Sequence, residues 1–317
     1  SLSNGTSYTA KVWAINAYGT SAPSVASSGV SPFAPRGIFA GGGSGDNTIN
    51  YMSFANTGTV SDFGNLTAAR TQQANGNISS QTRGIFVAGG TSSTARVDDM
   101  DYITIASTGN AADFGDASQA TANQGGAANT TKGIAAGGNN NSYENRGEYI
   151  TIATLGNAVN TNGLTVSRDQ LAGFSNGTRA IFGGGNNGNL LNVIDFLLFA
   201  SSGDGTDFGD LTAARETLGG ASNSTRGLFA GGNGTNVIDY ITMSSAGNAT
   251  DFGDLNDAAY GQSGTSSSLI ALFGGNSTTA NRIDSVVIGT TGNATDYGDL
   301  SYDGAYCGAC SNAHGGL

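Results

Sequence analysis

TRGLFAGGNGTNVIDYITMSSAGNATDFGDL, residues 225–255, is one complete copy of a unit written six times along this 317-residue chain. Its double glycine recurs at Gly41-Gly42, Gly89-Gly90, Gly137-Gly138, Gly184-Gly185, Gly231-Gly232 and Gly274-Gly275, so successive copies lie 48, 48, 47, 47 and 43 residues apart. A second marker keeps step: DFGNL from Asp62, DFGDA from Asp113, NTNGL from Asn160, DFGDL from Asp207 and Asp251, and DYGDL from Asp296. A period in this range belongs to repeat architectures in which no single unit can bury its own apolar surface.

Each copy from Arg36 onward divides into four strand-like parts. In residues 218–255 these are LGGASNS, RGLFAGG, VIDYITMS and ATDFGDL. Apolar side chains on both faces of the third part suit a sheet packed between two others. Glycine and alanine gather in the first two parts, as inner strands crowded round an axis require. With 52 glycines, only 3 prolines and 11% charged residues, the chain is read as all-β, many short strands joined by tight turns, and neither disordered nor collagenous.

The first copy lacks its Gly-rich strand, and the last residues, YCGACSNAHGG (306–316), align with LGGASNSTRG but have no double-glycine strand after them. The C-terminal segment is therefore expected to complete the first blade, with residues 308–311 beside residues 37–40, closing a ring of six blades. These repeats resemble the kelch repeat. The double glycine matches six times. A following aromatic matches at Tyr51, Tyr102, Tyr149, Phe196 and Tyr240, and an arginine before the next blade at Arg70, Arg168 and Arg215. The kelch tryptophan is replaced by Phe63, Phe114, Phe208, Phe252 and Tyr297. The wording RGIFAGG…IDYITIASTGNATDFGDLT is similar to repeats of structural proteins of tailed phages, notably marine and cyanobacterial ones, across residues 36–317. The fold expected is a six-bladed kelch-like β-propeller over residues 35–317. Residues 1–34 differ: LSNGTSYTAKVWAINAYGTSAPS resembles the last two strands of a fibronectin type III domain, with Tyr8, Ala10, Val12 and Ala14 as an inward face and SPFAP (31–35) as a linker. Opening on Ser1, the chain reads as a piece of a longer protein, with homo-oligomer formation expected through upstream domains.

A net charge of −11 argues against nucleic acid and anionic membranes as partners, and no apolar run approaches a membrane span. The basic residues fall into columns. Arg36, Arg83, Lys132, Arg179 and Arg226 precede the second strands, and each is expected to bond a carboxylate or carbonyl of its own or the adjacent blade. Acids repeat at Asp101, Glu148, Asp195, Asp239 and Asp284, and at Asp62, Asp113, Asp207, Asp251 and Asp296. Charges repeated once per blade are read as structural. Triplets of the type N-x-[ST] at Asn129, Asn176, Asn223 and Asn248 are read as a consequence of composition.

Catalysis finds little footing. His314 is the only histidine, too few for copper ligation and awkwardly placed for a triad. Cys307, Cys310 and His314 lack a fourth zinc ligand, and on an extended strand the two cysteine Cα atoms sit about 10 Å apart, too far for a disulfide. No cofactor is expected, and the sequence leaves open a Ca²⁺ at Asp98-Asp99. What varies from blade to blade is the connection after the double glycine, and variable polar loops on a rigid scaffold are where recognition is placed. The longest, residues 91–99 and 139–147, supply the expected partner-binding residues Arg96, Asp98, Tyr143, Asn145 and Arg146. The resemblance implies a non-enzymatic virion component of a tail, baseplate or head fibre, located in the virion or outside the cell. Its partners would be other virion proteins and host surface glycans. A bacterial surface adhesin and a carbohydrate-active enzyme are the alternatives.

Overall fold

A computed structural model describes residues 7–29, 34–43, 45–58, 60–73, 75–91, 95–201, 203–279 and 281–317. The chain divides into two units, Ser1–Ala34 and Pro35–Leu317. Every regular element among the described residues is a β-strand.

In the first unit, Ile15–Asn16 pairs with Gly19–Thr20 across a turn in which Asn16 Oδ1 accepts the Tyr18 amide. Beyond the turn a serine at every third position, Ser21, Ser24 and Ser27, bonds Ala14, Val12 and Ala10 through both its amide and its hydroxyl. Val12, Ile15, Tyr18 and Val25 are all exposed, so this hairpin encloses no core of its own. Residues 2–6 of the fibronectin-like stretch and residues 31–33 of the linker lie outside the described residues.

The second unit is a six-bladed β-propeller. Blades 3 to 6 each hold four consecutive antiparallel strands, from the axis outward. Blade 5 is typical, with Gly219–Ser222, Arg226–Ala230, Thr235–Thr242 and Thr250–Ala259. Blade 1 joins both ends of the chain. Its three outer strands, Arg36–Gly42, Asp46–Ser53 and Val60–Asn65, receive Gly308–Ser311 as the innermost strand. The register is Gly308 opposite Ala40, Ala309 opposite Phe39, Cys310 opposite Ile38 and Ser311 opposite Gly37. The expected closure is the one the structure has.

Six apolar clusters seal six interfaces. One joins Phe174, Ile181, Ile194 and Phe208 of blade 4 to Phe229, Ile241 and Met243 of blade 5. The cluster between blades 6 and 1, with Leu272, Ile283, Tyr297, Phe39 and Met52, completes the circle. The DFG marker explains itself in this packing. In blade 4, Ile194 pairs with Gly209 and Asp195 with Asp207, so Phe208 is the extra residue of a bulge and turns into the core. Gly209 takes φ +145°, and a Cβ there would meet the backbone of Gly247 in the next blade at 2.5 Å. Only glycine fits.

The basic column locks the outer half of the ring. Arg36, Arg83, Lys132, Arg179 and Arg226 each lie over the aromatic ring of their own third strand. Each also donates to a carbonyl of the next blade: Ile105, Ile152, Phe199, Met243 and Ile288. Blade 6 has Ile270 in the basic position and Ser285 in place of the aromatic. There the tyrosine of DYG takes over, with the Tyr297 hydroxyl donating to Ser53 O and Asn56 O of blade 1.

The asparagines of the N-x-[ST] triplets hold turns and blade contacts. Asn129, Asn176 and Asn223 accept the amides two and three residues on, turning the chain from first to second strand. Asn248 accepts the Asp210 amide of the preceding blade.

Candidate functional site

The acidic column of the third strands is the best-defined polar feature. After each outer strand the chain crosses to the next blade, and its first polar residue bonds that blade's acid through backbone and side chain. These pairs are Thr67–Asp101, Ser118–Glu148, Thr165–Asp195, Thr212–Asp239 and Asn256–Asp284. Three of the acids pair with the crossover arginines: Arg70–Asp101, Arg168–Asp195 at 2.8 Å and Arg215–Asp239 at 2.8 Å, all buried. Burial pulls the Arg168 and Arg215 guanidiniums below their usual pKa, and the facing carboxylates work against that shift.

The other blades compensate. Blades 3 and 6 have Thr121 and Ala259 where the arginine would stand, and both carry an arginine two residues before the acid instead. Arg146 meets Glu148 at 3.2 Å and Arg282 meets Asp284 at 3.1 Å. Blade 1 has Gly304 at the arginine position, and its third strand replaces the acid with neutral Asn50, which Ser301 still bonds at 2.8 Å. Within this third-strand column a buried carboxylate thus stands where an arginine reaches it.

This pairing changes the standing of two expected binding residues. Arg146 is largely buried, bound to Glu148, Thr121 and Asn160 as well as Ser118. Asn145 donates to Leu164 O at 3.2 Å, as Asn47 and Asn236 do to Leu66 O and Leu255 O in their own blades. Both side chains therefore carry a structural bond. Tyr143 and Asp98 are exposed. Arg96 crosses from blade 2 to the blade 3 loop, where Asn139 accepts at 2.7 Å and Asn141 at 3.5 Å. Since Asn139 also bridges to Tyr143, the structure brings Arg96 to the foot of the Tyr143 loop.

On the same face, the residues entering the innermost strands form a closed ring of backbone hydrogen bonds. Gln72 N donates to Tyr306 O, Asn123 to Gln72, Gln170 to Asn123, Thr217 to Gln170, Gly261 to Thr217 and Tyr306 to Gly261, at 2.7–3.1 Å. All six have left-handed φ between 56° and 70°, and five are not glycine. Strain repeated in this way is held by the ring itself. Beside it Asp169 is buried, and its pKa rises to about 6 through burial first and the nearby Glu216 charge second.

The axis is filled. Blade 2 has twelve residues from Gln72 to Arg83 where blades 3 to 6 have ten, and the added length carries Asn75 onto the axis. There Asn75 Nδ2 donates to Leu218 O and Gln262 O, and its backbone carbonyl accepts from Gly126 and Gly173. At the opposite end the C-terminal tail folds inward. His314 is buried, with Nε2 donating to Ser79 O and Nδ1 accepting from Gly316 N, while Gly315 N bonds Ser222 O. The two extra residues of blade 2 were the available signal for the plug. Nothing in the alignment of the tail signalled His314's place.

Cys307 and Cys310 point into different interface clusters and are buried free thiols, with burial pushing Cys307 up to about 12. Among the described residues no three His, Cys, Asp or Glu side chains gather as a metal site. No described helix is long and apolar enough to cross a membrane.

His314 gives the fold an acid limit. Burial depresses its pKa to about 4 from an ordinary 6.5, and its two bonds suit only the neutral ring. Its contribution is complete above pH 6.5 and is lost as pH falls through 4, a span worth about 3 kcal/mol. Asp169, raised to about 6, works the other way, since protonation there favours the fold. Comparing urea midpoints of the native chain and His314→Gln between pH 7 and 4 isolates the histidine. The native protein should lose stability relative to the variant over that range, and a constant difference would exclude the assignment.

Neither protein-family models nor the sequences of curated proteins return a match to this chain.

Proposed function

We propose that this chain is a non-enzymatic structural and adhesive component of a phage virion, part of a tail, baseplate or head fibre, whose kelch-like propeller presents loops to a partner. The observation that carries this reading is the use of the polar residues. The basic column and the third-strand acids go into bonds that hold the blades, and the axis is occupied by Asn75 and the C-terminal tail. The loops after the double glycines, which differ in every blade, are left as the variable surface. The likeness of the repeat wording to tailed-phage structural proteins supplies the setting, and the fibronectin type III-like hairpin fits a modular fibre. Host surface glycans and other virion proteins are the partner classes.

Arg96 and Tyr143 are the anchors in this reading. An exposed tyrosine offers a stacking face, and a guanidinium held by two amides offers ordered donors. The purified full chain should bind host cells saturably, reduce phage adsorption by competition and leave surface glycans uncleaved. Arg96→Ala with Tyr143→Ala should weaken binding at least about tenfold while the melting temperature moves by no more than about 2 °C. Binding that survives the double replacement would place the contact elsewhere. Release of sugar fragments would favour the carbohydrate-active enzyme.

A further inference from the structure

In five blades the outer strand sets one ring, Phe63, Phe114, Phe208, Phe252 or Tyr297, into the wall between its blade and the next, and none is more than 3% exposed. Blade 3 has Thr161 at that place. Its outer strand, Val159–Thr161, runs flat, with Glu148 opposite Asn160 and Gly147 opposite Thr161. The bulge that turns the ring inward in the other blades is missing.

The neighbours that such a ring would have are nevertheless in place. In blade 4, Phe208 packs with Ile181, Phe196 and Met243, and Arg179 lies over Phe196. The residues at the corresponding positions one blade earlier, Ile134, Tyr149, Phe199 and Lys132, line a cavity of about 280 Å³ together with Thr161 and Leu198. We propose that this cavity, on the outer wall between blades 3 and 4, is a docking site for an aromatic side chain of a second polypeptide, which fills the place held elsewhere by the protein's own ring. The partner expected at the loop face is a separate one, and neither contact depends on the other.

The repeat itself specifies the occupant. In blades 1, 2, 4 and 5 the outer-strand ring meets the third-strand ring edge to face, with centroids 5.9–6.2 Å apart. In blades 2 and 5 the column arginine also reaches the outer ring, at 5.8 and 6.0 Å. Tyr149 keeps its cation, Lys132 Nζ at 5.4 Å from the ring centre, but has a threonine in place of the second ring. The rim is more apolar than the repeat requires. Leu198 is 43% exposed where Ser53, Thr104, Thr151 and Thr242 stand in four other blades. A sugar suits the walls poorly. Lys132 Nζ already donates to Phe199 O at 3.2 Å, and Ile134, Leu198 and Phe199 offer hydroxyl groups no partner.

The protein's own outer strand supplies the probe. The capped peptide NATDFGDL, residues 248–255, should bind the full chain with a Kd on the order of 0.1–1 mM, and saturation transfer by NMR should be strongest at its phenylalanine ring. The same peptide with Phe252→Ala should bind at least about tenfold more weakly. Leu198→Asp, at an exposed position, should abolish binding while the melting temperature moves by no more than about 2 °C. Thr161→Phe with Asn162→Gly restores the Phe-Gly pair in blade 3. It should fill the cavity from within, abolish peptide binding and raise the melting temperature by about 1–4 °C. Equal binding of the two peptides, undiminished binding in both variants, or no saturation transfer at about 5 mM peptide would overturn the proposal. An oligosaccharide that displaces the peptide from the native chain and fails to bind Leu198→Asp would overturn it in favour of a glycan site.

Discussion

Removal of residues 308–317 is expected to abolish the stable monomer. These ten residues include the innermost strand of blade 1, paired along Gly37–Ala40, and the tail that closes one end of the axis. Without them the second strand of blade 1 becomes an open edge. The clusters on either side lose Ala309 and Cys310, exposing Ile38, Phe39 and Phe86. A propeller holds its blades by neighbour packing, and an opened ring has two unpaired faces instead of none. The loss should approach the whole stability of a typical domain, about 5–15 kcal/mol, so the truncated chain should aggregate or unfold without a cooperative transition. Adding a peptide of residues 306–317 should restore part of the transition, which separates the strand's role from a general effect of shortening. A truncated chain melting within about 5 °C of the full one would show that closure contributes little.

Arg168→Met should be the most damaging single replacement among the charge columns. Arg168 and Asp195 are both fully buried, and the arginine also reaches Phe182 O at 3.3 Å. Taking away the cation leaves Asp195 charged in the interface, with Thr165 as its remaining partner. That should cost about 3–5 kcal/mol. Blade 1 shows how the site can be neutral, with Asn50 bonded by Ser301 and Gly304 at the arginine position. Converting Asp195 to asparagine in the Arg168→Met background should therefore recover most of the loss, while Asp195→Asn alone should destabilise. A double-mutant cycle from urea unfolding reads the coupling. Additive effects would mean that the pair is not a unit.

The ring was legible in the sequence because its causes are local and repeated. A double glycine ends each second strand, a bulge places each DFG aromatic, and a missing first strand can only be supplied from the other end. The basic column was legible for the same reason. The partnership of Arg146 with Glu148, and of Arg282 with Asp284, was harder to see. Each arginine substitutes for one absent from the preceding crossover, and that is evident only when two columns are compared blade by blade. Arg146 was accordingly assigned to recognition when part of its work is structural. The axial plug depends on a two-residue difference in spacing, and its partners lie in blades 3 to 6, far along the chain from Asn75. His314 falls past the last repeat marker, where no column exists to compare.

Function by way of the loop face of a sealed ring is tested most directly by amide hydrogen exchange on the full chain, with and without its bound partner. Protection confined to the loops that follow the double glycines, strongest in residues 95–99 and 139–147, is the expected result. Protection centred on the axial ring at Gln72, Asn123 and Gln170, or on the opposite-face turns at residues 80–83, 129–132 and 176–179, would contradict it.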